Sequence, residues 1–583
     1  MAEQKDIPVG HDEPLKPTHS LPLYSEPTPE THRKLSRESE AEIALKHTRF
    51  TAGSRSLLIV LFLFTILAVP AVQFAVEMRG PPEGPLGTFK IYRAYPAWTK
   101  IRAVRSAKDL WHLLPHAADL KSAEKELETA SVVSEWLLPR VQRALLKLGV
   151  GNEQVYLGRD GWLFYRPDVD YVTGPPFLAP KVMTQRAHAA AVQPDAVKAI
   201  VAFRDQLAAR GIGLTIVPVP SKATIHPEKL TEHITPEKEL QNASFEEFRK
   251  RVTSAGVHVS NPAIMMMAVR RGTGHLPQYL ATDTHWTPEA MQYAAYSMMV
   301  SAAADLPAGQ THGTVLPPKE IVGKGDLARM LKLPDQQRLY PPEKVMIEQV
   351  MVNNQFWRPS PDADVLLLGD SFSNIFSLEA LGWGESAGLA EHFSAKLGGR
   401  PVDCILRNSD GAFATREILS HELARGKDRL AGKKLVIWEF AARELAFGDW
   451  KMLDMKLGKP MPPKFFVPKT SETVTASGTI EAISTVPRPG TVPYREHILA
   501  VHLTDLAVEG RPPNDALESL VYLASMRDNV LTPAARLGPG DRVKLRLRAW
   551  TDVSDRYEKI NRSEIDDPAV QLEEPCWGEP VNN

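Results

Sequence analysis

The chain has 583 residues, a formal net charge of −1 and 43% hydrophobic residues, which leaves room for two or three domains with sizeable cores. That balance provides no basic field of the kind a nucleic-acid binder spreads over its surface, and no RNA or DNA motif is present, so no nucleic-acid partner is expected. Two cysteines, Cys404 and Cys576, form no metal-ligand pattern and exclude a disulfide-stapled small domain, while fitting either a cytoplasm or a bacterial periplasm.

In chain order, residues 1–55 are rich in proline and mixed charge with little apolar periodicity, and read as a disordered cytoplasmic tail. Ser56 to Val76 then runs without a charge, which is enough for a helix to cross a bilayer at about 20 residues. The polar stretch before it is far longer than a cleaved signal carries, so 56–78 reads as a transmembrane signal anchor. Lys46, Arg49 and Arg55 precede the span, whereas Glu77, Arg79 and Glu83 follow it in a mix. This bias favours a cytoplasmic N-terminus and an exported body. Residues 79–150 begin with the Pro/Gly-rich exit Gly80 to Gly87. They continue as a helical stalk or connector, with the apolar clusters Leu110–Leu114 and Trp136–Leu138.

From 151 to 458 strands and helices alternate. Strand patterns at Leu214–Val219, Val257–Val259, Val365–Leu368, Asp403–Leu406 and Lys434–Trp438 are separated by helical ones at Ala196–Arg210, Ala263–Arg271, Pro288–Ala304 and Ala414–Ala424. This alternation predicts an α/β domain with a mostly parallel sheet flanked by helices. Residues 459–476, with prolines at 460, 462, 463 and 468, read as a linker. Residues 477–583 read as a small all-β barrel or sandwich, with strands at Gly478–Ser484, His497–Asp505, Ser519–Ser525 and Arg542–Trp550.

Two motifs in the α/β region carry chemistry. Asp283-Thr284-His285-Trp286 holds an acid and an imidazole two apart, and Gly369-Asp370-Ser371-Phe372-Ser373 places a serine where a strand should end. A serine hydroxyl needs a base to take its proton, and histidine titrates in the right range. The imidazole in turn needs a carboxylate to fix its tautomer. Ser371 stands where open α/β sheets put their ligands, at the carboxyl end of a strand. Amides at the start of the following helix are candidates to stabilise a tetrahedral oxyanion. Asp370 reads as an N-cap and Ser373 as a structural hydroxyl. The esterase elbow Gly-x-Ser-x-Gly is absent at Ser371, and no zinc-protease, Walker or dinucleotide fingerprint appears. Neither a metal nor another cofactor is expected.

The pairing of these motifs resembles the alginate O-acetyltransferase family (AlgJ/AlgX type), whose domain is SGNH-hydrolase-like. Four more segments are similar to family segments: Gly158–Tyr165, Pro218–Lys222, Gly325–Leu331 and Trp438–Glu444. The resemblance spans roughly residues 150–450. It implies an SGNH-like fold, with Ser371 as the nucleophile carrying the acetyl group, His285 as base and later acid, and Asp283 orienting it. It also implies a cleft arginine, Arg443, in contact with substrate, unless Arg443 pairs with Glu439 or Glu444. Gly384 and Asn408 are candidates for the second oxyanion donor that such a fold needs. The reaction implied is acetyl transfer to hydroxyls of an exported polysaccharide, with a carbohydrate acetylesterase or a non-catalytic scaffold as alternatives. The partners implied are that exopolysaccharide, a membrane-bound O-acyltransferase supplying acetyl, and the bacterial inner membrane, with the catalytic domain in the periplasm. The C-terminal module looks as much like an oligosaccharide-binding barrel as a sandwich. Trp550, Tyr557 and Trp577 are either sugar-stacking or core residues.

Overall fold

The structure, a computed structural model, describes residues 51–77 and 131–581, apart from short breaks at 191, 236–238, 275, 303–305, 307–312, 335–336, 409–410, 460–464, 488, 490–491, 493, 512–516, 566 and 572. It divides into two units, the first ending at Ala75. The described residues of that unit lie almost entirely in helix α1 (Ala52–Glu77), which overlaps the expected anchor. Gly53–Val76 has mean hydropathy 2.6 and is, among the described residues, the one helix long and apolar enough to cross a membrane. Residues 1–50 of the expected tail lie outside the described residues, as do Gly80–Gly87 and the Leu110–Leu114 part of the expected stalk. The later part of that stalk is helix α2 (Val132–Lys147), started by the Ser131 side chain accepting from the Ser134 amide.

The body is built on a five-stranded sheet of β3 (Gly213–Val219), β4 (His258–Val259), β5 (Val365–Gly369), β6 (Asp403–Leu406) and β7 (Leu435–Ala441), preceded in the chain by a short hairpin of β1 (Val155–Leu157) and β2 (Leu163–Tyr165). The spatial order is β6-β5-β7-β3-β4 and every pairing is parallel. Strands buried throughout are written as continuous apolar runs, which is why Val365–Leu368 lacks the alternation of a half-exposed strand. Leu366, Leu367 and Leu368 are fully buried. Each such side chain stabilises the fold by about 1.5–3 kcal/mol relative to exposure. Helices α3 (Ala196–Ala208), α4 (Pro262–Gly272), α5 (Pro288–Ala302) and α6 (Ala414–Ala424) bury Phe203, Met266, Met298 and Leu423 in the same core. Their ends fall within two residues of the sequence expectation.

The C-terminal module contains β8 (Thr473–Ile483), β9 (His497–Val508), β10 (Ser519–Arg527), β11 (Arg542–Ala549), β12 (Arg562–Ser563) and β13 (Pro575–Pro580). Pairings run β8–β9–β10–β13–β11 and back to β8, a closed ring that makes a barrel rather than two stacked sheets. Closure leaves none of these five strands with a free edge for another chain to pair with. Strand β13 was not legible, because Pro575 and Pro580 at its ends count against a strand in sequence. The expected linker 459–476 is shorter than read. Phe466 is buried in the barrel core and β8 starts at Thr473, while 460–464 lie outside the described residues. Trp550, Tyr557 and Trp577 pack together as core, Tyr557 stacking on Trp577 at 4.0 Å.

Candidate active site

Asp283, His285 and Ser371 meet at the carboxyl end of the sheet. His285 Nε2 lies 2.8 Å from Ser371 Oγ, and Nδ1 lies 2.6 Å from Asp283 Oδ1. A carboxylate can only accept, so Nδ1 carries the proton and Nε2 is left to accept from the serine. All three side chains are buried, with Ser371 the most open at 6%. The imidazole packs over Phe372, ring centres 4.8 Å apart, and Trp286 meets the same ring edge-on.

The loop carrying the acid and base is held from several sides. Tyr279 pairs with Trp286, and the Leu280 amide donates to the His285 carbonyl, so residues 280–285 form a closed turn. Glu343 accepts from the amides of Ala281 and Thr282 and from the Thr282 hydroxyl. Beneath the turn, the fully buried Lys222 donates from Nζ to the carbonyls of Leu163, Ala281 and Asp283 at 2.6, 2.8 and 3.1 Å. Burial pulls its ammonium down to about 7, against the opposing pull of Glu343 and Asp283.

Asp283 is saturated with donors. Oδ1 takes the His285 amide as well as Nδ1, and Oδ2 takes the Asp326 amide at 2.9 Å and Trp383 Nε1 at 3.0 Å. Burial alone would raise its pKa, but the imidazole, Arg329 and these bonds outweigh it and hold the carboxyl well below its usual range. Burial likewise opposes charge on His285, yet Asp283 and then Asp326 raise its pKa above the ordinary 6.5. Asp326 accepts from the Thr284 amide at 2.7 Å, and burial together with the Asp283 charge pushes its own carboxyl up to about 6.

Asp326 and Trp383 were not singled out in sequence. Asp326 does stand in a family-like segment, and Trp383 sits between Gly382 and Gly384. Space for Trp383 is provided by Gly323, where a Cβ would come within 2.6 Å of the indole. Trp383→Phe, which deletes the indole donor and leaves part of the buried ring's space empty, should lower kcat several-fold. It should also cost about 1.5–3 kcal/mol of stability, the worth of a hydrogen bond to a charged group. Urea unfolding and ester-hydrolysis rates measure the two effects.

Asp283, His285 and Asp326 are also close enough to offer one atom each to a metal ion. Both imidazole nitrogens are already engaged, by Asp283 and Ser371, so a cation would have to break one of those bonds. The donor set fits proton transfer better than metal ligation.

The nucleophile turn is equally determined. Asp370 Oδ1 caps the four-residue helix Ser371–Asn374 by accepting from the Phe372 amide at 2.8 Å, while Oδ2 accepts from the Ala441 amide. Ser373 donates its hydroxyl to the buried Glu439 at 2.7 Å. These arrangements take two amides of the turn out of the expected oxyanion hole. The Phe372 amide is taken by Asp370 Oδ1 and the Ser373 amide by the Asp370 carbonyl. Gly384 is required at its position by the backbone and by space. It adopts φ +96°, and a Cβ there would strike Ile347 at 2.5 Å, so its need is conformational and steric.

Asn408 is placed differently. Gly369 of β5 pairs with Leu406 of β6, and the Arg407 amide donates to the Gly369 carbonyl, so Asn408 follows at the same end of the sheet as the nucleophile turn. Its Oδ1 accepts from Asn374 Nδ2 at 3.1 Å, which fixes the amide's orientation, and its Nδ2 is buried with no partner among the described residues. Arg443 pairs with Asp168 at 3.0 Å rather than with Glu439 or Glu444, and its guanidinium lies 5.2 Å from the Tyr165 ring and 6.0 Å from that of Phe372. Asp168 gave no signal in sequence. A separate cleft of about 1600 Å³ lies where the barrel meets this domain, lined by Trp357, Arg407, Tyr522 and Glu564 among others; no triad residue lines it.

Residues 155–442 match the family described as "SGNH hydrolase-like domain, acetyltransferase AlgX". The chain is 28% identical over 185 residues to "Probable alginate O-acetylase AlgJ" of Pseudomonas syringae pv. tomato, covering 31% of this chain and 42% of that protein. It is 26% identical over 236 residues to the protein of the same name from Azotobacter vinelandii, covering 39% and 56%. The chain thus spans about half the length of the curated relatives it matches. The solved "O-Acetyltransferase Domain of Pseudomonas putida AlgJ" superposes with a TM-score of 0.38 at 23% identity, over 50% of this chain and 92% of that one. Through residues 155–442, the chain belongs to the alginate O-acetyltransferase family of AlgJ/AlgX type, with an SGNH hydrolase-like domain.

Proposed function

We propose that the protein moves an acetyl group through Ser371 onto hydroxyls of an exported polysaccharide. The observation that supports this most is the unbroken line Asp283–His285–Ser371 at 2.6 and 2.8 Å. His285 Nε2 takes the hydroxyl proton as Ser371 Oγ attacks the donor's acetyl carbonyl. The tetrahedral oxyanion is met by Asn408 Nδ2. Collapse breaks the bond to the donor oxygen, which leaves with the proton from His285, and acetyl-Ser371 remains. A sugar hydroxyl then gives its proton to His285 and attacks the acetyl carbonyl, and collapse returns that proton to Ser371 Oγ. Asp283 stays ionised throughout and stabilises the imidazolium. Arg443, beside Tyr165 and Phe372, is assigned to substrate contact.

Helix α1 holds the enzyme at the bacterial inner membrane with its body in the periplasm, where a membrane-bound O-acyltransferase supplies acetyl and the polymer passes. The chain's similarity to probable alginate O-acetylases supports alginate-like polymers as acceptors. Incubation with an acetyl ester and mannuronate oligomers should yield acetylated oligomer in amounts that grow with oligomer concentration. If only free acetate forms at every oligomer concentration, the protein is an esterase instead.

A further inference from the structure

The C-terminal barrel holds a residue that itself bonds to the nucleophile turn. Asn561, just before β12, holds the backbone of Asn408 at two points. Its Oδ1 accepts from the Asn408 amide at 3.2 Å, and its Nδ2 donates to the Asn408 carbonyl. Asn561 is itself anchored in the barrel, its carbonyl accepting from the Ile498 amide at 2.9 Å while Arg562 and Ser563 pair with Ile498 and Leu499 of β9. Both asparagines are buried, at 2% and 0% exposure. Next to them Arg407 lies 3.7 Å from Glu564 of the barrel, so the contact continues along the chain on both sides.

A side-chain amide mimics a strand partner, because it offers one donor and one acceptor side by side. Residue 408 lies beyond the end of β6, where the sheet no longer supplies partners, and the barrel supplies them instead. The amide that results is oriented through Asn374 on the nucleophile turn and located through Asn561 on the barrel. We propose that Asn561 is a positioning residue for acyl transfer: it fixes Asn408 so that Nδ2 faces the developing oxyanion, making the barrel part of the catalytic apparatus. This rests on the assignment of Ser371 and Asn408 above. An oxyanion donor is worth about 10²–10³ in kcat, and its worth depends on placement to a fraction of an ångström.

The test uses the full chain in detergent with 4-nitrophenyl acetate, which needs no polysaccharide. Asn561→Ala should lower kcat about tenfold and leave KM within about twofold. Asn408→Ala should lower kcat by 10²-fold or more, and the double variant should be no slower than Asn408→Ala alone. Leu545→Ala removes a buried side chain of the barrel's own core, on β11, which pairs with β8 and β13 and not with β9 or β12. It should lower the melting temperature while keeping kcat. Wild-type kcat in Asn561→Ala, losses that multiply in the double variant, or an equal kcat loss in Leu545→Ala would each overturn the proposal. If instead Ser371→Ala keeps its esterase activity, the catalytic assignment itself is what fails.

Discussion

Ser371→Ala is expected to lower kcat on any acetyl ester by about 10⁵–10⁶-fold, the loss seen when an acyl-transfer nucleophile is removed outright. Among the described residues of the nucleophile turn, none is free to substitute. Ser373 gives its hydroxyl to Glu439, and Asp370 spends both carboxylate oxygens on the amides of Phe372 and Ala441. The fold should be little changed, since the change deletes one hydroxyl whose partner is His285 Nε2. Wild-type protein quenched during turnover should carry an acetyl group on the peptide containing Ser371, visible by mass spectrometry, and the variant should carry none. Turnover above a hundredth of wild type would mean that another group does the chemistry.

Asp283→Asn should lower kcat by about 10⁴-fold, which corresponds to about 5.5 kcal/mol of transition-state stabilisation. Two causes add. An amide at this position can present its NH₂ to Nδ1, which moves the proton to Nε2 and turns the base away from the serine. The loss of charge also removes the leading cause that raises the His285 pKa, leaving burial to lower it. The sign on pH follows. The base works when neutral, so in wild type kcat/KM should rise with pH through a midpoint above 6.5, and in the variant that limb should move to lower pH. A limb that stays in place would show that Asp283 does not govern the imidazole.

How far the site could be read from sequence depends on how far apart its parts lie along the chain. Ser371 was visible because a continuous apolar run ends just before it, and Asp283 with His285 because they are two apart. Their helpers act across long separations. Asp326, Trp383 and Asn561 bond to partners 43, 100 and 153 positions away, and no local period marks such contacts. The parallel sheet was legible for the same reason that β13 was not. Buried strands show as apolar runs, whereas Pro575 and Pro580 mark β13 as a turn. Arg443 was found by its segment, but its partner Asp168 lies 275 positions away and was missed.

The strand order has a consequence for when the enzyme becomes active. β5, which presents Ser371, is flanked by β6 and β7, and both follow it in the chain. The serine is therefore not seated until residue 441 has joined the sheet, long after the acid and base have been synthesised. A chain still emerging, or one cut short, carries all three reactive side chains without the alignment to use them. Reactivity arrives late in assembly, so a half-made molecule does not spend acetyl groups on water.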